Sequence, residues 1–589
     1  MVEMDWLVKN FYILILFNLF PIPGFTQPIP MQGFPRTVAA TINCANPDSS
    51  PIVADFNGDG YKEILISIGS YSDNVEVFLI DHEGNTLPGW PKSFPSNTRI
   101  HTAVGDVNND GMLEAVIKTE KILTVFDFYG NELEGFPVNF SGQSWRSVKL
   151  ALYDIDNDGD LEIITNKDNT IGVFEHNGVI RTGWPVTVIP NVSNYPVYIT
   201  NFSVGDLNGD GFAEILFPAE YFNSTKHQYD SARIEGYDMN GNILSGFPIK
   251  TDSNYFYESN TACIIYKDKT KDSTFFVINS NYSPSLIAND YTTRVSTYNY
   301  NAHLIYRYYI FPNIETFGML MADFSDDNSL DHVIGNWFDT VRIFTQEGNL
   351  LYPNPIISTY NFNSLPSIGK LSSNFNLVAG QSYSDTLGGP NNYAGFIKAF
   401  HPNGEELSWS PLRPSGFPTG GILFDDINND GQTDMVFLTN IIYSSNNVTG
   451  SKLYAYTFPG IKLSHENFPW PMYGHDRYRT FNYDFFPDDE HVGIQNINNE
   501  IPESFDLLQN YPNPFNNSTI IQFKIAKNSK AELNIYNLLG EKISNLVNQN
   551  LSAGTYQVTY TPENLSSGVY FFRLAADGNV FTRKMLMVK

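Results

Sequence analysis

Along most of the chain, apolar and polar positions alternate over short runs, and no stretch sustains a 3.6-residue period. EILIS (63–67), EAVIK (114–118), EIIT (162–165), EILF (214–217) and DMVFL (434–438) each read as a strand that begins on an acid. A second pattern lies between them: an apolar strand, a Gly-containing hairpin turn, a short strand, then Gly-aromatic-Pro. It reads VFLIDHEGNTLPGWP (Val77–Pro91), VFDFYGNELEGFP (Val125–Pro137), VFEHNGVIRTGWP (Val173–Pro185) and YDMNGNILSGFP (Tyr237–Pro248). Fainter versions are IFTQEGNLLYP (Ile343–Pro353) and AFHPNGEELSW (Ala399–Trp409). One unit therefore holds about four strands, and such units repeated many times predict an all-β chain built as a β-propeller. Because the Gly-aromatic-Pro rings recur in unit after unit, they are expected to pack between blades rather than to stack on sugars.

Ahead of each acid-initiated strand stands a nine-residue acidic loop, D-x-[N/D]-x-D-G-x-x-[E/D]. Oxygens at its first, third, fifth and ninth positions can converge on one point, a backbone carbonyl at the seventh can join them, and Gly at the sixth supplies a positive φ. Five or six hard oxygen ligands in a flexible loop suit calcium better than magnesium. The first loop offers Asp55, Asn57, Asp59, Tyr61 (by its carbonyl) and Glu63, and the second Asp106, Asn108, Asp110, Met112 and Glu114. The third, the most acidic, offers Asp154, Asp156, Asp158, Asp160 and Glu162. The fourth offers Asp206, Asn208, Asp210, Phe212 and Glu214, and the last Asp426, Asn428, Asp430, Gln432 and Asp434. A weaker copy offers Asp323, Ser325, Asp327 and Asp331. The expected cofactor is thus Ca2+ at about five or six structural sites. An EF-hand is excluded, because its twelfth position needs a bidentate Glu and here holds Ile66, Ile117, Thr165, Phe217 or Phe437.

Two eroded copies fill the gaps, one near Asp268–Asp272 and one near Lys370–Asn374. Phe276 is expected where the fifth unit's last acid belongs, and the seventh unit's loop has no acids, so neither is expected to bind an ion. Eight loop starts, 47–62 residues apart, favour eight blades. Seven remains the alternative if the last unit merely closes the ring with the N-terminal segment.

The loops account for part of a formal charge of −28, from 63 acids against 35 bases. A polyanionic surface repels phosphate backbones, so nucleic acid is excluded as a partner. Only Cys44 and Cys263 occur, which rules out a disulfide framework and leaves either one bridge or two buried thiols. Residues 1–26 read as a signal peptide: Lys9 precedes the apolar run Phe11–Phe20, too short to span a bilayer, and Gly24 and Thr26 give a small-x-small cleavage pattern. No transmembrane segment is expected in the mature chain.

The loops and their spacing resemble FG-GAP (VCBS) repeats, the propeller repeats of integrin α heads and of many bacterial surface proteins. The resemblance covers roughly 27–484 and implies calcium ligation through the first, third, fifth and ninth positions. WPMYGHDRYRT (Trp470–Thr480) resembles the segment that closes such propellers, so His475 and Asp476 are expected to be structural. Past an acidic, Asn-rich linker expected at 485–503, residues 504–589 alternate as short strands of a small Ig-like β-sandwich. QNYPNPFNNST (Gln509–Thr519), SSGVYFFRL and KMLMVK (Lys584–Lys589) closely resemble the C-terminal sorting domain of type IX secretion. That resemblance implies a Bacteroidetes-type host, the type IX machinery as a partner, and a secreted protein that can stay attached to the outer-membrane surface.

The functional reading is a secreted calcium-binding propeller for adhesion or for binding a glycan or protein ligand. The alternative is a calcium-dependent polysaccharide lyase on the same scaffold, since some eight-bladed calcium propellers have that activity. No nucleophile elbow, His-Glu-x-x-His or phosphate loop occurs, and no catalytic residue is assigned. Only His101, Arg99 and Lys118 could gather a base and a cation near one blade.

Overall fold

A computed structural model describes residues 27–39, 50–69, 74–95, 100–141, 148–189, 197–223, 228–250, 255–256, 261–268, 271, 273–282, 292–310, 316–336, 340–353, 355–357, 361–362, 366–372, 374–385, 392–444, 447–464, 467–472, 475–482, 495–498, 502, 504–515, 519–527, 529–538, 540, 542–551, 554–560 and 567–588. The expected signal peptide, Cys44 and Arg99 lie outside these residues. Among those described, every regular element is a strand.

Eight antiparallel sheets of four or five strands follow one another in chain order through Phe458. The first blade is Ile52–Ala54, Glu63–Ile68, Val75–Ile80 and Lys92–Phe94, each strand paired with the next. The second (Ile100–Gly105 onward) and third (Leu150–Tyr153 onward) repeat that order. The eighth is made of Phe417–Asp425, Thr433–Ser444 and Asn447–Phe458. Its outer edge is completed by the N-terminal strands Ile29–Pro30 and Arg36–Ala39, which pair with Asn447–Phe458. The count is therefore eight, and the N-terminal segment closes the eighth blade instead of replacing it.

Apolar faces hold the blades together. Leu65 and Val77 of the first pack with Val104 and Ala115 of the second, and Ile64 and Ile66 of the first pack with Leu423 and Val436 of the eighth. Equivalent clusters join every other adjacent pair, so the sheets form a closed ring. At the rim, Gly89, Gly135 and Gly183 of Gly-aromatic-Pro have φ near 90°, and a Cβ there would overlap a carbonyl oxygen of the next blade's hairpin. Of the neighbouring rings, Trp90 and Trp184 are buried and Phe136 is partly buried against the core between blades, as expected for packing. Trp90 Nε1 donates to Phe128 O and Trp184 Nε1 to Met239 O, each in the following blade.

The segment around Trp470–Thr480 threads the inside of the ring. Backbone N–H groups of the innermost strands donate to it: Ile368 to Trp470 O, Phe424 to Pro471 O, Val104 to Arg477 O, Leu152 to Tyr478 O, Val204 to Thr480 O and Ile265 to Phe481 O. Asp476 spends its oxygens on its own turn, accepting from Tyr478 N, Thr480 N and Thr480 Oγ1. Arg479, buried, donates through Nε to Thr102 O and through Nη2 to Ser50 O. His475 and Asp476 are thus parts of a structural closure, as expected.

The C-terminal unit is a two-sheet sandwich. One sheet orders Gln495–Asn498, Gly554–Tyr560, Thr519–Ile525 and Asp506–Leu507; the other orders Lys542–Leu551, Ser529–Tyr536, Gly568–Ala576 and Asn579–Met587. Its core, with Phe523, Leu533, Val558, Phe572 and Met585, is drawn from residues 505–587 alone. Gln495–Asn498 corrects the expected linker of 485–503, since it supplies an edge strand of the sandwich.

Replacing Arg479 by Leu should strip the Ser50 and Thr102 carbonyls of a buried donor and cost about 2–3 kcal/mol. Chemical unfolding measures this, and an unchanged midpoint would show that the thread does not brace the ring.

Candidate metal centres

Each acidic loop links an innermost strand to the second strand of its blade, and one hydrogen bond sets its shape. The ninth-position acid opens the second strand, and its side chain turns back to accept the N–H of the second position. Glu63 takes Phe56 N at 3.0 Å, Glu114 takes Val107 N at 2.8 Å, Glu162 takes Ile155 N at 2.9 Å and Glu214 takes Leu207 N at 2.8 Å. Asp331 takes Phe324 N at 2.8 Å and Asp434 takes Ile427 N at 3.0 Å. The second-position side chain is apolar and buried in every case, which anchors the loop in the core.

The first-position carboxylate accepts from the N–H groups of the fifth and sixth positions. Asp55 does so from Asp59 and Gly60, Asp106 from Asp110 and Gly111, and Asp426 from Asp430 and Gly431. The fifth-position acid takes the seventh-position N–H, as Asp59 does from Tyr61 and Asp210 from Phe212. The Tyr61 and Phe212 side chains are exposed, which leaves these residues only a backbone group to offer. Sixth-position Gly60, Gly111, Gly159, Gly211 and Gly431 all have positive φ; in the weaker copy, Asn328 does.

Neighbouring loops are joined. The eighth-position N–H donates to the second-position carbonyl of the preceding blade: Lys62 to Ile427, Leu113 to Phe56, Leu161 to Val107 and Ala213 to Ile155. The five full loops therefore occupy consecutive blades, from the eighth through the first to the fourth, as one hydrogen-bonded arc.

Burial makes the ninth-position acids unusual. It pushes Glu63 up to about 8, Glu114 and Glu162 to about 9, Glu214 and Asp434 to about 7 and Asp331 to about 6, and the neighbouring loop carboxylates add to the rise. Asp106 rises to about 7 for the same reasons. Acids this reluctant to ionise would be favoured in their charged form by a nearby positive charge.

The third loop gives a direct test of fit. Asp154, Asp156 and Glu162 bring one oxygen each within 4.8 Å of one another, the only such group of three among the described residues. Asp156 Oδ1 and Glu162 Oε1 are buried and have no hydrogen-bond partner. Hard carboxylate oxygens converging on one point, two of them without a hydrogen bond, fit a calcium-type cation. In the other full loops the third position is an amide, and Asn57, Asn108, Asn208 and Asn428 donate Nδ2 to the fifth-position acid.

The eroded loops lack the set. In the fifth blade Asp268 pairs with Ser273 in the register that Ala54 and Glu63 share, so Ser273 holds the ninth position. That corrects the expectation for Phe276, which pairs with Ile265 inside the strands; the loop is four residues shorter, and the repeat spacing could not register the loss. Lys271 pairs with the buried Asp268 there. In the seventh blade Asn376 replaces the acid and accepts Leu371 N at 3.1 Å, and Lys370 stands at the first position. The sequence reading also missed Arg181, whose guanidinium reaches Asp156 at 2.6 Å.

Of the candidate catalytic trio, His101 and Lys118 face each other across neighbouring strands, both buried. Burial lowers Lys118 to about 7, and its ammonium lies 4.2 Å from the Phe140 ring centroid and donates to Thr119 O.

Comparison with known proteins agrees with this anatomy. The FG-GAP-like repeat family matches residues 55–117 and 154–217, and the secretion system C-terminal sorting domain family matches residues 509–589. No curated protein matches the chain. Among solved structures, BBS1N in complex with ARL6DN is similar at 10% identity and a TM-score of 0.42, over 74% of this chain and 98% of that one. The V. cholerae biofilm matrix protein Bap1 is similar at 13% identity and a TM-score of 0.35, over 74% and 91%. A Bacteroides caccae protein of unknown function is similar at 11% identity and a TM-score of 0.26, over 50% and 90%. No helix among the described residues is long and apolar enough to cross a membrane. The chain carries FG-GAP-like repeats in an all-β propeller and ends in a secretion system C-terminal sorting domain, so it is a secreted protein of the type IX route.

Proposed function

We propose that this is a calcium-stiffened propeller that works outside the cell as a non-enzymatic binding module for a glycan or protein ligand. The observation that carries the reading is the arc of five consecutive acidic loops, each with a buried ninth-position carboxylate. Bound calcium would supply positive charge at the loops. The first-, third-, fifth- and ninth-position side chains would hold it, while the loop backbone keeps each carboxylate aimed inward. A closed ring whose loops are braced in this way presents a rigid surface, and rigidity favours binding by lowering the ordering cost. The sorting domain supports delivery through the secretion machinery.

The buried acids fix the sign of the pH response. Glu63, Glu114 and Glu162 bind protons more tightly in the ion-free fold than in the unfolded chain, where the ordinary value is 4.5. In chelator, stability should therefore fall as pH rises from about 5 towards 9. Calcium should remove most of that slope and raise the melting temperature at pH 8 by several degrees, and magnesium should restore little. Melting curves that ignore both chelator and pH would sink the calcium reading.

Asp106→Ala should remove one ion by elemental analysis. Asp268→Ala should leave the ion count unchanged yet lower stability, because it strips Lys271 of a buried partner. Equal calcium counts for the two variants would contradict the ligand assignment.

Deleting residues 491–589 takes the whole sandwich, with its Gln495–Asn498 edge, and leaves the ring's own cores intact. The truncated chain should fold and accumulate in the periplasm of its host. Arrival at the surface in normal amounts would assign the sandwich another role.

A further inference from the structure

In five blades the hairpin on the outer side carries a repeated leucine. Leu87, Leu133, Leu244, Leu351 and Leu407 each donate a backbone N–H back to the third strand, to Leu79, Val125, Gly236, Ile343 and Ala399 respectively. Leu407 is buried, and the other four pack partly buried against the cores between blades. In the third blade the same backbone bond is made by Arg181, to Val173 O at 2.9 Å. Arginine therefore stands where five other blades have leucine.

A second departure sits in the same blade. The third loop position is Asn in the first, second, fourth and eighth blades and Ser in the sixth, but it is Asp156 in the third blade. The two exceptions meet. Arg181 Nη2 lies 2.6 Å from Asp156 Oδ2, and Nη1 lies 3.2 Å from Glu175 Oε1 and 3.7 Å from Glu162 Oε1. The Arg181 side chain is only 12% exposed, so water does little to screen it. An extra carboxylate and a guanidinium have entered one loop together, and the guanidinium keeps its charge at any accessible pH.

From this we infer that Arg181 is a tethered cation of the third loop, holding it in shape without calcium and weakening its hold on the ion. The inference rests on the calcium reading above. Asp156 Oδ1 and Glu162 Oε1 accept no hydrogen bond, the latter having only the 3.7 Å ion pair with Arg181, so the ion keeps ligands there. It must enter beside a fixed positive charge, however, and that repulsion lowers affinity. Lys62 pairs with Asp425 beside the eighth loop at 2.7 Å, and among the described contacts the first, second and fourth loops have no ion pair to their carboxylates.

The test is Arg181→Leu, which restores the residue that the other blades carry, read by hydrogen exchange of residue-specific peptides during a calcium titration. In chelator, peptide 154–162 should exchange faster in R181L than in the parent protein. The calcium concentration that half-protects this peptide should fall by about tenfold, while the midpoint for peptide 106–114 stays put. Should R181L fold poorly, the double variant D156N/R181L carries the residue pair used by the first, second and fourth blades. Its third loop should then be unprotected in chelator and protected by calcium. Unchanged exchange and an unchanged midpoint at 154–162, with calcium still protecting 106–114, overturn the role of Arg181 alone. A parent protein in which calcium protects neither peptide overturns the calcium reading as well.

Discussion

The ring depends on one recurring bond, in which a buried ninth-position carboxylate accepts the N–H of the second loop position. That bond turns the chain from the innermost strand to the second strand of a blade and pins an apolar residue such as Phe56, Ile155 or Ile427 into the core. Its acceptor is an acid kept away from water, a costly arrangement unless charge is supplied from elsewhere. The raised values of Glu63, Glu114 and Glu162 express that cost. The fold has therefore placed its most repeated joint on its least solvated acids.

Three blades handle the cost differently, and all three do so with a side chain. The fifth discards the loop and pairs Asp268 with Lys271, and the seventh turns the acid into the amide Asn376 with Lys370 nearby. The third keeps every acid, adds Asp156 and brings in Arg181. In the third and fifth blades, then, a cationic side chain of the blade itself pairs with the acid.

Much of this was legible in the sequence, because strands of period two and a nine-residue loop with fixed chemistry both act over short range. The blade count and the acid and glycine columns of the full loops follow from residues that lie side by side in the chain. What escaped detection acts across longer distances or changes register. Shortening the fifth loop moved Ser273 into the place expected for Phe276, since spacing between repeats does not reveal where a deletion falls. Gln495–Asn498 looked like solvated linker by composition, and only its pairing with Gly554–Tyr560 makes it a strand. Arg181 is visible only as a break in a column of leucines, and its meaning depends on a contact with Asp156, twenty-five positions earlier.

The thread through the ring also determines how the molecule bears tension. A pull applied to the sandwich is carried by the backbone to Asn482 and then enters the centre of the propeller, not its outer edge. There it meets hydrogen bonds from Val104, Leu152, Val204 and Ile265 in four different blades, and beyond them Phe424 and Ile368 in two more. The load is shared around the ring before any single blade is asked to unzip. Such a layout makes the chain's exit from the ring a clamp.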